Sequence, residues 1–138
     1  MYILGDIGNT ETKIWLISKK NKIIKKIIFS SKEITINKLS KIFKKNNFKF
    51  KYIEKILFCS VVPQTFNLIK KFLSKKTNRK CYEVKSLNLK SLIKVKVEYK
   101  QVGSDRITNA ISLMNGENNF IILDFGTATT FDVIVKNI

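Results

Sequence analysis

Ile3-Leu4-Gly5-Asp6-Ile7-Gly8-Asn9-Thr10-Glu11-Thr12-Lys13 opens the chain, and Leu123-Asp124-Phe125-Gly126-Thr127-Ala128-Thr129-Thr130-Phe131-Asp132 echoes it near the other end. In each, an apolar strand runs into Asp-x-Gly, turns tightly through small polar residues and leaves as a second apolar strand. Asp6 aligns with Asp124, Gly8 with Gly126, Asn9 with Thr127 and Thr12 with Thr130. Such a turn suits phosphate: glycine admits close backbone approach, successive N–H groups form an anion-binding concavity, and threonine hydroxyls add donors. The leading Asp can hold a cation, directly or through water, that neutralises phosphate charge. Two such hairpins facing each other would grip a nucleotide triphosphate from both sides. A single copy also fits an ordinary β-hairpin closed by its glycine. The repeated Asp and Gly spacing favours phosphate.

Composition narrows the classes. With 138 residues and 44% hydrophobic content, the chain suffices for one domain with a core, or for one domain and part of another. Cys59 and Cys81 form no C-x-x-C pair and read as reduced thiols of a cytoplasmic protein. The absence of histidine removes Ser-His triads, histidine bases and His-rich zinc sites together. No run reaches membrane-spanning length, and Asp6 comes too early for a signal peptide. The net charge of +17 is nearly all lysine, spread along the chain among abundant Ile and Asn, as an A+T-biased genome would produce. No compact basic block, zinc-finger or helix-turn-helix pattern accompanies it, so the expected surface is lysine-coated and no nucleic-acid partner is expected.

Along the chain, Tyr2–Ile7 and 13–17 read as a hairpin, 18–21 as a turn and 22–29 as a third antiparallel strand. Ile36, Leu39, Ile42 and Phe43 fall at helical spacing within 34–48. Segment 52–60 reads as a buried parallel strand, and Ser60-Val61-Val62-Pro63 turns it into a helix faced by Phe66, Ile69 and Leu73. A short strand is expected at 81–84, then loop with a short extended piece over 86–99. The order is that of a mixed α/β fold.

Tyr99-Lys100-Gln101-Val102-Gly103-Ser104-Asp105-Arg106 precedes Ile107, Ala110, Ile111 and Met114, which repeat at i, i+3, i+4, i+7. Ser104 is the expected N-cap, with Asp105 and Arg106 in the first turn. In the plainer reading Asp105 complements the helix dipole and Arg106 is a surface cation. Gly103, and the presence of only one other arginine in the chain (Arg79), favour a site. There a carboxylate could accept a hydroxyl proton beside a guanidinium that binds a substrate carboxylate. Phosphoryl transfer suits such a pair, because positioning and charge neutralisation dominate its loose transition state.

Asp6-Ile7-Gly8-Asn9-Thr10, Ser60-Val61-Val62-Pro63, Gly103-Ser104-Asp105-Arg106 and the run from Asp124 to Thr130 occur in order and at familiar intervals. Together they resemble type III pantothenate kinase, of the actin, Hsp70 and sugar-kinase superfold. The resemblance implies an α/β, ribonuclease H-like fold: a mixed sheet with flanking helices and a truncated second domain. It puts a first kinase domain at 1–117 and the first hairpin of the second at 118–138. It further implies that Asp6, Ile7, Gly8, Asn9, Thr10, Glu11, Thr12 and Lys13 form the ATP phosphate loop, with Thr127 also on phosphate. Tyr99, Gly103, Ser104, Asp105 and Arg106 would meet pantothenate, Asp105 as the catalytic proton acceptor and Arg106 near the substrate carboxylate. Asp124 would hold a metal, the family's potassium or ammonium ion, while ATP arrives with Mg²⁺. The implied reaction makes 4'-phosphopantothenate, the first step towards coenzyme A, in a homodimer or with a complementing second half.

Two other readings remain open. A sugar kinase or polyphosphate-hydrolysing phosphatase of the same superfold would share the phosphate turns but not the Gly-x-Asp-Arg helix start. A transcriptional accessory role would use the basic charge.

Overall fold

Alternation builds the first sheet. In the computed structural model, which describes residues 1–126 and 128–136, Tyr2–Ile7 (β1) and Glu11–Ile17 (β2) pair antiparallel. Their period of two sends Ile3, Ile7, Ile14 and Leu16 to one buried face. Ile23–Ser30 (β3) adds antiparallel to β2, while Lys55–Ser60 (β4) and Cys81–Glu83 (β5) add in parallel on the other side of β1. The strand order is β3-β2-β1-β4-β5.

Two helices cover the buried face. Ile36–Lys45 (α1) starts where the Thr35 side chain accepts from the Lys38 amide at 3.2 Å, and it buries Leu39 and Phe43. Pro63–Thr77 (α2) begins with Pro63 and ends on Asn78 in the left-handed conformation (φ 54°), a frequent helix stop. Phe43 meets Phe48, Phe50 and Phe72 at ring-centroid separations of 4.9, 5.4 and 5.2 Å, joining both helices in one aromatic cluster. Gly5 lies under the buried ring of Phe58: a Cβ there would stand 2.0 Å from Cε1.

Three elements, α1, β4 and β5, are shorter than the apolar spacing predicts, whereas β2 begins two residues earlier, at Glu11. Thr35 caps α1 late, and Asn47, with φ at 47°, ends it before 48. Tyr52, exposed and at φ 73°, is a turn residue, so β4 starts at Lys55 rather than 52. The extended piece expected within 86–99 does not form a strand. Val84–Ser86 makes a single 3-10 turn, and beyond it Lys94, Lys96 and Glu98 leave no apolar run for a sheet to bury.

Two side chains in this sheet yield predictions. Thr12 is fully buried and its hydroxyl pairs with that of Ser31 at 2.8 Å. Thr12→Val leaves the Ser31 hydroxyl short of a partner and should cost about 1–2 kcal/mol in denaturant unfolding. A loss below about 0.3 kcal/mol would show the pair to be idle. Cys81 is 2% exposed, and burial pushes its thiol from the usual 9.0 up to about 12 despite the nearby Lys70 charge. Native chain treated with a maleimide near neutral pH should be labelled at half-buried Cys59 and spared at Cys81, with both labelled after denaturation. Equal native labelling would contradict this packing. The protonated Cys81 thiol contributes stability that is fully present below pH 9.0 and is lost as pH climbs towards about 12.

The chain divides into two compact units, Met1–Leu87 and Asn88–Ile138. In the second, Ser104–Leu113 (α3) packs on the antiparallel hairpin of Phe120–Phe125 (β6) and Thr129–Ile134 (β7). Thus α3, which the sequence reading groups with 1–117, shares a unit with the second hairpin. Ile107, Ala110 and Ile134 are buried here, while Ile121, Leu123, Phe125, Phe131 and Val133 on the other hairpin face are exposed. Among the described residues no helix is long and apolar enough to cross a membrane.

Candidate functional site

In the first unit, β1 and β4 run parallel with Ile7 opposite Ser60, so their carboxyl ends coincide. The turn at 8–11 and the Ser60-to-Pro63 entry into α2 therefore lie at one end of the sheet, where α/β folds bind ligands. The Val61 amide donates to the Ile7 carbonyl at 3.0 Å and locks the two together. Gly8 closes its turn by donating to the Glu11 carbonyl at 2.9 Å, and a Cβ on Gly8 would crowd that oxygen at 3.3 Å. Asn9 and Thr10 are exposed at the tip, which Ser31 steadies by donating its amide to the Thr10 carbonyl at 2.9 Å. Asp6, in register with Lys13 on β2 and Cys59 on β4, lies on the face away from α1 and α2.

Two expected loop residues point elsewhere. Ile7 is fully buried and has only its backbone to offer a ligand. Thr12 alternates inward with Ile14, and its hydroxyl is bonded to Ser31 in the core, so it adds no donor at the turn surface. The cause is register. Ile7 pairs with Thr12 in the first hairpin, whereas Phe125 pairs with Thr129 in the second, whose turn is one residue shorter. A shift of one residue exchanges the faces of a strand. Thr130 consequently stands opposite Asp124 and shares its side of the hairpin, while Thr12 and Asp6 lie on opposite sides.

In the second unit, Gly103 takes the extended cap conformation (φ −62°, ψ 150°), so it rather than Ser104 is the N-cap of α3. Ser104 is already helical and buried, and its carbonyl accepts the Thr108 hydroxyl at 2.7 Å. Asp105 occupies the first turn, where its Oδ1 accepts the Arg106 amide at 2.8 Å. The Tyr99 carbonyl accepts the Val102 amide at 3.3 Å in the turn leading to Gly103. Arg106 reaches back to β7: its Nε donates to Asp132 Oδ1 at 2.8 Å and Oδ2 at 3.1 Å, and Nη2 donates to Oδ1. These hydrogen bonds hold the guanidinium protonated beyond even the usual arginine range. Asp124 and Asp132 share the half-buried face of the hairpin. A cavity of about 580 Å³ in this unit is bordered by Arg106, Asp132, Ile107, Met114 and Lys96.

Thr127 lies outside the described residues. Among those described, no three His, Cys, Asp or Glu side chains converge as a ready-made metal centre. Each hairpin instead supplies one leading carboxylate, Asp6 or Asp124, and Thr130 stands opposite the latter. One carboxylate completed by substrate phosphates and water is a donor set that suits Mg²⁺ or an alkali cation. Asp132 is absent from the expected site residues; two positions beyond Thr130 on β7, it shares the side of the hairpin that Asp124 and Thr130 occupy.

A crystal structure designated "Putative N-acetylglucosamine Kinase" from Porphyromonas gingivalis aligns with 99% of this chain and 45% of its own, at a TM-score of 0.51 and 14% identity. The fold is thus the α/β, mixed-sheet architecture expected, that of the sugar-kinase superfold. A family model described as type III pantothenate kinase matches residues 2–138. The chain belongs to the type III pantothenate kinase family. A protein of that name from Pelagibacter ubique is 59% identical over 137 residues, covering 99% of this chain and 55% of its own length. Another, from a Sulfurihydrogenibium species, is 37% identical over 147 residues, covering 99% and 56%. The chain spans about half the length of the curated relatives it matches.

Proposed function

We propose that the chain serves in ATP-dependent phosphorylation of pantothenate to 4'-phosphopantothenate, the step that opens coenzyme A synthesis, in the cytoplasm. The observation that carries this reading is Asp105 fixed in the first turn of α3 beside the Arg106–Asp132 pair, on a helix packed against an Asp-x-Gly hairpin. Asp105 accepts the proton of the primary hydroxyl as its oxygen bonds to the γ-phosphorus; the bond to the β–γ bridging oxygen breaks and ADP leaves. Arg106 receives the pantothenate carboxylate, with Tyr99, Gly103 and Ser104 lining the approach. The exposed tip at 8–11, flanked by Asp6 and Lys13, and Thr127 of the second turn receive ATP phosphates. Mg²⁺, together with potassium or ammonium, supplies charge neutralisation when bound, with Asp6 and Asp124 as the side chains suited to hold them. In this reading 118–138 is the first hairpin of a second kinase domain, and the working species is a homodimer or a chain joined by a complementing half.

The test is transfer of labelled phosphate from ATP to pantothenate with potassium and Mg²⁺ present. It is run with the 138-residue chain alone, and with the remainder of the Pelagibacter ubique relative supplied in trans. Phosphopantothenate in either mixture is the expected result. A folded chain giving none in both, under saturating substrates, would sink the proposal.

A further inference from the structure

We infer that Asp132 is the positioning residue for Arg106, holding one edge of the guanidinium so that Nη1 is presented to an anionic group in the cavity beside α3. The inference rests on the pantothenate reading above. Arginine carries five N–H donors in a rigid fork. The Nε donor goes to Asp132, and Nη2 is shared between Asp132 Oδ1 and the Phe131 carbonyl at 3.3 Å. That commits one edge and leaves the two Nη1 hydrogens, with no bond to them among the described residues.

A competing geometry has the incoming carboxylate displace Asp132 and take the whole fork. It would strand a carboxylate whose side chain is only 17% exposed, without its cation. Breaking a shielded pair in that way is strongly unfavourable. Asp132 therefore stays and the ligand adds to the other edge. Since the Arg106–Asp132 pair is neutral, the added negative charge is balanced by Lys94, Lys96 and Lys136, all of which border the same cavity. Ile107 and Met114 supply its apolar wall. The cavity thus sets an anion-accepting edge beside an apolar wall.

The experiment compares the wild-type chain with Asp132→Ala and Asp132→Asn. NMR titrations use pantothenate and its neutral analogue, in which a hydroxymethyl group replaces the carboxylate. Asp132→Ala should weaken pantothenate binding about tenfold, a typical charged hydrogen-bond effect, and leave the analogue within about twofold. Asp132→Asn keeps an acceptor for Nε and should restore most of the loss. A second readout needs no ligand: the Arg106 Nε–H signal should exchange slowly in wild type and be lost in Asp132→Ala. Equal weakening of both ligands would reduce Asp132 to a structural role and overturn the inference. Unchanged or tighter pantothenate binding would overturn it too, because it would make Asp132 a displaceable blocker. If wild type binds neither ligand, the pantothenate reading fails separately. A fast-exchanging Nε–H in wild type would show that Arg106 is not held at all.

Discussion

Asp105→Asn is expected to lower phosphate transfer to pantothenate by about 10²–10⁴-fold, the usual contribution of a positioned proton acceptor. The substitution is nearly isosteric. Its amide oxygen still accepts the Arg106 amide that Asp105 Oδ1 accepts at 2.8 Å, so α3 keeps its start and the fold its stability. What disappears is the basic oxygen. The fall should therefore appear in kcat with little change in KM, because the acceptor acts as the proton leaves rather than when substrate docks. The measurement is the ATP-to-pantothenate assay described above, with a thermal melt of both chains to show equal folding. A variant that keeps activity within about threefold would remove Asp105 from the chemistry and leave it a helix-dipole residue.

Gly5→Ala carries the largest expected effect on stability, a loss of about 3 kcal/mol, at the upper end of ordinary overpacking. The added methyl would stand 2.0 Å from Phe58 Cε1 and 2.2 Å from Cδ1, well inside van der Waals contact. Phe58 is fully buried and packs near Phe66 at a ring-centroid distance of 6.1 Å, so its ring has nowhere open to swing. The strand must move instead. Because β1 is the central strand, pairing with both β2 and β4, any shift is felt along two ladders. Urea unfolding followed by circular dichroism should show a lower midpoint at unchanged slope. Phe58→Leu added to Gly5→Ala should cost less than the two single losses summed, since the smaller side chain vacates the space the methyl needs. Strict additivity would mean that the two residues do not compete for one volume.

Much of this was legible from residues alone, and for identifiable reasons. Alternation in 2–7 and 13–17, helical spacing around Leu39 and Phe43, and Pro63 at a helix start are local patterns with local causes, and each reappears in the fold. Position along the chain also sufficed to put Asp105 and Arg106 in a first helical turn. What stayed hidden depends on cross-strand register and on partners distant in sequence. Whether Thr12 faces core or turn rests on one residue of hairpin length. The partner of Arg106 lies 26 residues away and becomes a neighbour only when α3 packs on β7. The N-cap moved from Ser104 to Gly103 because glycine itself takes the extended cap geometry there, a choice that cap preferences alone do not decide.

The unequal turns also limit how the two hairpins can be treated as spare parts for one another. Their leading Asp-x-Gly halves look interchangeable on paper, but residues aligned beyond the turns, such as Thr12 and Thr130, face opposite sides relative to their leading Asp. Shortening the first turn by one residue, so that Glu11 rather than Thr12 met Ile7, would rotate Thr12, Ile14 and Leu16 out of the interior and bring Lys13 and Trp15 in. A protein engineer swapping these loops must therefore cut at the closing pairs, Ile7 with Thr12 and Phe125 with Thr129, and not at the aligned residues.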